Sequence, residues 1–345
     1  MTLSRGGVFQ SDLDEILEGV GDSWNQFRNS DFLILGGTGF IGTWLVSALL
    51  NANQALTLNL NLNVITRDPQ NAATRLKFGS SDPISLLKFD LRNAQTFDFP
   101  PTNFYVHAAT PSVTATGSSD ESSVEEATIG GMQMILDLIG KNPNDSSFLH
   151  TSSGAVYGPQ PLDLERRLEG NAVNKDDLIS VYARSKVAAE ELLNSAIANG
   201  ITKGSNPRLF AFEGPHISTV EHFAIGNFLH DGLKGRQIQV KGNANTVRSY
   251  LYPTDLTVWL LKLLANPCDN PINIGSDIPV TMLELANIVS ELTSKRGVDF
   301  LNPSTPASRY VPSIENAKRI LQVKPKVSLV EGLERWIKWL EATKK

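Results

Sequence analysis

Residues 36–42 read GGTGFIG, with four glycines in seven positions, between the apolar segments 32–35 and 43–46. A glycine-rich turn between a buried strand and a helix lets the backbone approach a pyrophosphate and aims the helix N-terminus at its charge. The stretch therefore predicts a dinucleotide site; the alternative is a glycine-rich turn without a ligand. The expected contacts are Gly36, Gly39, Phe40, Ile41 and Gly42.

Short apolar runs alternate with helical stretches on both sides of this loop. Strands are predicted at 32–35, 64–66, 86–89, 104–106 and 147–149, and helices near 41–52 and 122–140. This alternation is typical of a parallel sheet covered on both faces. The sequence therefore predicts an α/β fold with a Rossmann-type doubly wound sheet, whose ligands lie at the carboxyl ends of the strands.

The remaining segments suggest a division into unequal parts. Residues 1–30 contain an amphipathic stretch, 12–29, expected to pack on the domain that follows; a partner-binding arm is the alternative. Residues 31–210 are predicted to form the dinucleotide-binding domain, with 246–275 returning to it. Segments 211–245 and 276–345 are predicted to form a smaller mixed α/β substrate lobe. Beyond about residue 210, strands are expected at 238–240 and 249–251, with helices near 223–234, 254–265, 281–294 and 329–342.

Composition excludes several classes of function. The chain is 41% hydrophobic with a net charge of -5, and its basic residues are scattered, which argues against nucleic-acid and membrane partners. A single cysteine, Cys268, excludes an internal disulfide and fits a reducing compartment. The histidines, including His216 and His222, lack zinc-ligand spacing, so no metal site is expected. Acidic residues in the first 30 positions are unlike a signal peptide, so the cytoplasm is the expected location.

Residues after the next strands are candidates for cofactor contacts. Arg67 and then Asp68 follow the second strand, where an arginine accommodates the 2′-phosphate of NADP and an acid binds the ribose of NAD. Both cofactors stay open, with Arg67 favouring NADP. Further contacts are expected at strand ends, namely Asp90, Leu91, His107, Ala108 and Ala109. For His107, a packed histidine without a ligand is the alternative.

Tyr182 and Lys186 lie four residues apart in a predicted helix that extends to about residue 196. This spacing is one helical turn, so the two side chains share a face. A nearby ammonium is expected to lower the pKa of the tyrosine and make it a base for removing a hydroxyl proton. The serines of 149–158, LHTSSGAVYG, end the fifth strand and face the same crevice, where a hydroxyl can hold the substrate oxygen.

Together these motifs resemble the extended short-chain dehydrogenase/reductases, in particular the NAD-dependent epimerase/dehydratase group that modifies nucleotide sugars. The resemblance covers about residues 31–340 through GGTGFIG, HAA, SSGAVYG, YARSK, RLFAFEGP and VRSYLYPTD. It implies Tyr182 as the catalytic base, Lys186 as its electrostatic partner and nicotinamide-ribose ligand, and Ser153 as the catalytic hydroxyl. It further implies that Arg248 clamps the substrate diphosphate, that Asp255 is structural and that the protein is a homodimer.

Departures from the family pattern narrow the expected reaction. The 4,6-dehydratases carry an Asp-Glu pair where this chain has Gly154 and Ala155, and the sugar-acid decarboxylases usually keep the glutamate. An epimerase or related oxidoreductase is therefore favoured over these two classes. An NADPH-dependent 4-keto-sugar reductase is the main alternative, and a dinucleotide-binding module without catalysis is a further one.

Two family asparagines are also replaced. Ala211 stands where an asparagine usually contacts the nucleotide sugar, and Asn227 could supply that amide or only cap a turn. Thr128 likewise stands where the family often has asparagine, on the helix behind the active site.

Overall fold

A computed structural model describes most of the chain. The described residues are 2–76, 78, 82–92, 97–110, 121–141, 145–171, 173–178, 180–219, 223–301, 304 and 306–343. Its principal helices are α1 Gln10–Val20, α2 Phe40–Leu56, α3 Pro69–Leu76, α4 Glu121–Glu125, α5 Gly131–Lys141, α6 Val181–Ala198, α7 Ala224–Leu233, α8 Pro253–Ala265, α9 Met282–Leu292 and α10 Leu329–Thr343. Its strands are β1 Asp31–Leu35, β2 Asn61–Thr66, β3 Ile84–Lys88, β4 Phe104–His107, β5 Ser147–His150, β6 Ser152–Ser153, β7 Lys203–Ser205, β8 Pro207–Leu209, β9 Ile238–Val240, β10 Val247–Arg248, β11 Ile272–Ile274, β12 Val280–Thr281, β13 Val298–Phe300 and β14 Arg309–Tyr310.

The central sheet has six strands in the order β3-β2-β1-β4-β5-β7, and every pairing is parallel. Parallel strands need crossover connections, which here pass through helices on both faces. The predicted Rossmann-type α/β fold is therefore confirmed. The carboxyl ends of β1 to β5 all meet at one edge, which brings the predicted site residues together.

Three smaller sheets follow, in the orders β12-β10-β14, β11-β8-β6 and β13-β9. The prediction of a strand at 249–251 is wrong: the strand is Val247–Arg248, and Leu251 makes only an isolated bridge to Phe212. Val247 and Arg248 pair on both sides, with β12 and with β14. Ser249 and Leu251 are buried and Tyr250 is half-buried although they lie outside a strand, because burial in a loop can produce the same pattern as burial in a strand.

The amphipathic N-terminal stretch packs on the chain itself, as predicted. Leu13, Ile16, Val20, Trp24 and Phe27 are buried in the same hydrophobic core as the central sheet. The predicted single helix is too long, since α1 ends at Val20 and a 3-10 helix continues to Phe27. Gly21, with φ at 57°, ends α1 because glycine adopts positive φ without steric cost.

A buried ion pair joins the two ends of the chain. Asp12 is fully buried and accepts hydrogen bonds from Arg335 of α10, at 2.8 Å, and from the hydroxyl of Tyr252, at 3.0 Å. Burial raises the pKa of Asp12 to about 6, although Arg335 opposes this shift. Asp255 is also buried and accepts backbone N–H groups of Lys326 and Val327 at 2.8 and 3.1 Å, which is the structural role implied for it.

No helix in the described part of the chain is long and apolar enough to cross a bilayer.

Candidate active site

The glycine loop forms a tight turn directly after β1. Gly39 N–H donates to the carbonyl of Gly36 at 3.0 Å, and α2 then begins at Phe40. Gly36 has φ at 80°, and a Cβ there would lie 2.5 Å from the carbonyl oxygen of Ala108. A Cβ on Gly42 would lie 2.1 Å from the carbonyl oxygen of Gly36, so no side chain fits where α2 meets the loop. The loop therefore brings α2 against the ends of β1 and β4.

The N-terminus of α2 fits a dinucleotide pyrophosphate. Gly39 is the N-cap and supplies no side-chain hydrogen bond, and the first turn has no acidic residue. The first N–H groups of a helix lack intrahelical partners and carry partial positive charge, which favours an anion at this position. Gly36, Gly39, Phe40, Ile41 and Gly42 all lie in this turn, so these residues are the ones that would hold the phosphates.

The two candidates for the ribose contact have different surroundings. Asp68 is exposed, and its carboxylate accepts the backbone N–H of Asn71 at 3.0 Å, which stabilises the start of α3. Arg67 is also exposed, and its charge helps lower the pKa of Asp90. The larger cause is Arg92, which hydrogen bonds to Asp90 through two nitrogens and holds that pKa at about 2. The guanidinium of Arg67 thus lies at the carboxyl edge while Asp68 is engaged in the helix start.

His107 turns its side chain away from the crevice. It is fully buried; its Nδ1 accepts the N–H of Ala109 at 3.3 Å, so its Nε2 donates to the carbonyl of Thr128 at 2.8 Å. Thr128 lies in a π-helical turn, Glu126–Gly130. Burial, with the charge of Lys186 adding to it, lowers the pKa of His107 to about 3. The imidazole of His107 is therefore packed inside the protein, which is the alternative given by the sequence. Only the backbone of His107 remains available for a cofactor contact.

Ser153 and Tyr182 lie near each other at the carboxyl edge of the sheet. Ser153 is 6% exposed, caps a short 3-10 helix and accepts the N–H of Ala155 at 3.1 Å. Tyr182 lies in the first turn of α6, close enough for the Ser153 hydroxyl to influence the pKa of its phenol. Ser180 caps α6 by accepting the N–H of Ala183 at 3.2 Å, which fixes where that first turn begins. The candidate base and the candidate hydroxyl therefore lie next to each other.

Lys186 lies on the same face of α6, with its Nζ 5.9 Å from the Tyr182 ring centre. It is 2% exposed and donates to the carbonyl of Thr151 at 2.5 Å. Burial lowers the pKa of Lys186 to about 7, and Glu190 partly offsets that shift.

The expectation that Lys186 lowers the pKa of Tyr182 is wrong. Burial raises the pKa of Tyr182, and the hydrogen bond from Ser153 only moderates the rise. The reason is that the same packing that gathers the three groups also removes water from the phenolate.

A buried network below the site was missed by the motif analysis. Glu190, one turn after Lys186, forms a bidentate pair with Arg208, with contacts of 3.0 and 2.7 Å. Ser152 donates a further hydrogen bond to the same carboxylate. The i, i+4, i+8 spacing of Tyr182, Lys186 and Glu190 was a signal in the sequence, because it places all three on one face of α6. Through Glu190, this network connects the middle of α6 to Ser152 of β6 and to Arg208 of β8.

Gly154 and Ala155, which stand where the 4,6-dehydratases carry an Asp-Glu pair, differ in their surroundings. A Cβ on Gly154 would lie 2.6 Å from the Phe210 ring and 2.7 Å from the hydroxyl of Tyr310. The space of a side chain at residue 154 is therefore already filled. Ala155 is half-buried and carries no titratable group.

The predicted substrate residues Arg248 and Asn227 lie farther apart than the candidate catalytic residues. Arg248 is half-buried and donates to the carbonyl of Val247 at 2.8 Å and to the Ser308 hydroxyl at 3.0 Å. It pairs in register with Tyr310, beside the catalytic set. Asn227 is half-buried in α7; none of the described contacts joins its side chain to Ser153 or Tyr182. His222 lies outside the described residues.

Comparison with known proteins gives consistent matches. A sequence model of the NAD dependent epimerase/dehydratase family matches residues 32–275. Among curated proteins, UDP-glucuronic acid decarboxylase 6 of Arabidopsis thaliana is 27% identical over 317 residues, covering 89% of each chain.

Two solved structures share the fold over nearly the whole chain. UDP-glucose 4-epimerase of Thermotoga maritima, determined with UDP-glucose, has a TM-score of 0.77 at 20% identity, covering 91% of this chain and 100% of that one. The dTDP-glucose 4,6-dehydratase DesIV of Streptomyces venezuelae, determined with NAD, has a TM-score of 0.75 at 21% identity, covering 91% and 98%.

Proposed function

Because this chain belongs to the NAD-dependent epimerase/dehydratase family of nucleotide-sugar enzymes, we propose that it is an NAD(P)-dependent nucleotide-sugar epimerase. The observation that carries the proposal is the grouping of Ser153, Tyr182 and Lys186, next to two positions that have no acid. This set can move the proton of one hydroxyl, and no second acid or base stands at residues 154 and 155. Epimerisation at a carbinol carbon requires no more than that.

Each residue has a distinct part in the proposed reaction. Tyr182 takes the proton from a sugar hydroxyl, and Ser153 holds the same oxygen while its charge develops. Lys186 supplies positive charge below the pair. A nicotinamide dinucleotide held at the glycine loop, residues 36–42, would supply the hydride acceptor and donor that a change of configuration at the sugar carbon requires. Arg248 holds the substrate diphosphate, for which a planar guanidinium is suited.

Water elimination and decarboxylation have less support, although the curated relative is named a decarboxylase. Both reactions change a neighbouring carbon and so need a group that moves a proton there. Gly154 has no room for an acid beside Phe210 and Tyr310, and Ala155 offers none. These residues favour a reaction confined to one carbon.

The second candidate is a nucleotide 4-keto-sugar reductase that uses NADPH. It is favoured by the exposed Arg67 at the end of β2, since the neighbouring Asp68 already accepts a hydrogen bond in α3. A reductase would use the same three catalytic residues in one direction only. A non-catalytic dinucleotide-binding protein has less support, because the chain belongs to a family of epimerases and dehydratases and has serine, tyrosine and lysine at the three proposed catalytic positions.

The reaction type can be tested by the mass and the cofactor balance of the products. We expect purified protein, incubated with a panel of nucleotide sugars, to yield an isomer of unchanged mass with no net consumption of cofactor. A reductase would instead consume NADPH in proportion to a reduced product. Loss of water would indicate a dehydratase and loss of carbon dioxide a decarboxylase, and either product would refute the epimerase proposal.

The choice of dinucleotide can be tested at Arg67. We expect Arg67→Asp to weaken NADP binding about tenfold or more, because a charge-assisted contact to the 2′-phosphate is replaced by repulsion. NAD binding should change little, which isothermal titration calorimetry would measure.

Lys141→Asp is the matched control for that experiment. Lys141 is an exposed residue at the end of α5, near the opposite edge of the sheet, and the change reverses the same charge. It should affect neither cofactor. Equal weakening of NAD and NADP by Arg67→Asp would contradict the 2′-phosphate contact.

We further propose that the protein is a homodimer joined through α4, α5 and α6, as the family resemblance implies. Size-exclusion chromatography with light scattering would test the dimer.

A further inference from the structure

Glu190 places a buried carboxylate on the face of α6 that carries Tyr182 and Lys186. It lies one turn after Lys186 and two turns after Tyr182, so the three side chains leave the helix on one side. The side chain of Glu190 is only 7% exposed. A buried carboxylate is stable in a protein when donors satisfy its oxygens, and both oxygens of Glu190 are bound.

Two neighbouring strands supply the donors to Glu190. Its Oε1 accepts hydrogen bonds from the Ser152 hydroxyl and from Nε of Arg208, the second at 3.0 Å. Its Oε2 accepts Nη2 of Arg208 at 2.7 Å. Ser152 of β6 and Arg208 of β8 are paired in register, so their side chains lie side by side on one face of this small sheet. One carboxylate therefore binds α6 to two strands.

The guanidinium of Arg208 is also held from its other side. Its Cζ lies 4.7 Å from the centre of the Tyr157 ring, which favours a cation over its face. The Tyr157 hydroxyl donates to Oδ1 of Asn273 at 2.9 Å, and the Asn273 amide donates to the carbonyl of Ser313 at 3.1 Å. The partner of Glu190 is thus fixed, which gives the carboxylate a rigid attachment.

The residues just before Ser153 contact two successive turns of α6. The carbonyl of Thr151 accepts Nζ of Lys186 at 2.5 Å. The next residue, Ser152, donates to Glu190. Ser153 follows directly, so these two contacts set its place along the helix. Lys186 has a proposed part in the reaction, whereas Ser152 and Glu190 have none, and these two can therefore be altered without removing a reacting group.

We propose that Glu190 is a positioning residue of the active site. Its carboxylate holds α6 against β6 and β8, and thereby holds Tyr182 beside Ser153. A misplacement of about 1 Å between reacting groups can lower a rate about a hundredfold. The role rests on the proposed function in that Ser153 and Tyr182 form the catalytic pair.

Ser152→Ala is the sharpest test, because it removes one hydrogen bond from Glu190 and keeps the ion pair with Arg208. We expect kcat to fall about tenfold, while KM for the nucleotide sugar and Kd for the dinucleotide stay within about twofold. Steady-state kinetics and isothermal titration calorimetry would measure these constants. A general loosening of the fold would instead raise KM and Kd together, and that result would contradict the positioning role.

Glu190→Gln should have the larger effect, a fall of about a hundredfold in kcat, because a neutral amide replaces the charged partner of Arg208. The double variant Ser152→Ala/Glu190→Gln should be no slower than Glu190→Gln alone, since Ser152 acts through Glu190. Losses that multiply would contradict the role. If the unpaired Arg208 prevents Glu190→Gln from folding, Ser152→Ala decides the question.

Each variant has a matched control. Ser147→Ala also removes a buried serine hydroxyl, which donates to the carbonyl of Leu264 at 2.8 Å from the first residue of β5, away from the carboxyl edge. Glu191→Gln alters the next residue of α6, whose ion pair with Lys175 at 2.7 Å is exposed. Both controls should keep normal turnover. An equal loss in either control overturns the role of Glu190.

A second measurement does not depend on turnover. Crystal structures of the unaltered protein, Ser152→Ala and Ser147→Ala would give the distance between the hydroxyl oxygens of Ser153 and Tyr182. We expect this distance to increase in Ser152→Ala by about 0.5 Å or more, the tolerance within which catalytic groups are held. It should be unchanged in Ser147→Ala.

The outcomes separate this inference from the proposed function. Normal kcat in folded Ser152→Ala protein, judged by its melting curve, overturns the role of Glu190 and leaves the epimerase proposal standing. If the unaltered protein converts no nucleotide sugar, the proposed function fails and the distance decides: an increase supports the role, and an unchanged distance overturns it.

Discussion

Replacing Tyr182 with phenylalanine is expected to lower turnover by about a hundredfold to ten-thousandfold, the usual contribution of a positioned general base. The change removes the phenol oxygen, near Ser153, that is proposed to accept the proton of the sugar hydroxyl. Dinucleotide affinity and melting temperature should stay close to those of the unaltered protein, because the glycine loop and the cap of α6 are untouched.

The measurement is the rate of product formation together with its pH dependence. Oxidation of the sugar needs the phenolate, so the rate of the unaltered protein should rise with pH toward the pKa of Tyr182, which burial has raised. The residual rate of Tyr182→Phe should lack that rise.

Tyr105→Phe is a suitable control for Tyr182→Phe. Tyr105 is a buried tyrosine of β4. Its hydroxyl lies near Thr102, which precedes β4 and is therefore away from the carboxyl edge of the sheet. It should keep normal turnover. Normal turnover in Tyr182→Phe would eliminate the proposed mechanism.

Alanine substitutions in the glycine loop are expected to separate packing from ligand binding. Gly42→Ala should destabilise the protein by about 1–3 kcal/mol or more, because its methyl group would overlap the carbonyl oxygen of Gly36 at 2.1 Å and Gly37 Cα at 2.4 Å. These neighbours are backbone atoms, which cannot move aside without displacing α2. Thermal unfolding without cofactor would measure the loss.

Gly39→Ala is the matched comparison, since its methyl group would meet only the carbonyl oxygen of Gly36, at 3.4 Å. The melting temperature without cofactor should barely change. Dinucleotide binding should still weaken about tenfold or more, because a side chain at the N-cap of α2 keeps the backbone from the pyrophosphate. If Gly39→Ala binds the dinucleotide normally, this glycine does not face the ligand.

The sequence alone was sufficient to predict the central sheet and to select the candidate catalytic residues. The apolar runs at 32–35, 104–106 and 147–149 all became central strands, because full burial on both faces leaves a continuous apolar pattern. Tyr182 and Lys186 could be paired because helical spacing alone determines which side chains share a face. Ser153 could be placed opposite them because parallel strands end at a common edge.

Other residues could not be found in this way. Tyr310 reaches the space beside Gly154, and Arg335 reaches Asp12, only through packing between segments far apart in the chain. Neither belongs to a local pattern with its partner. His107 was assigned to the cofactor by its position at a strand end, yet its imidazole bonds to Thr128 inside the protein.

The sequence by itself determined the α/β architecture, the glycine loop and the identity of the candidate base, because each follows from residue spacing within one or two elements. Only the tertiary structure decided the protonation properties of the site and the occupant of the space at Gly154. Burial raises the pKa of Tyr182 and lowers that of Lys186 to about 7, and Tyr310 fills the place of an acid. The physical reason is that desolvation and hydrogen bonding depend on which distant segments exclude water from a group.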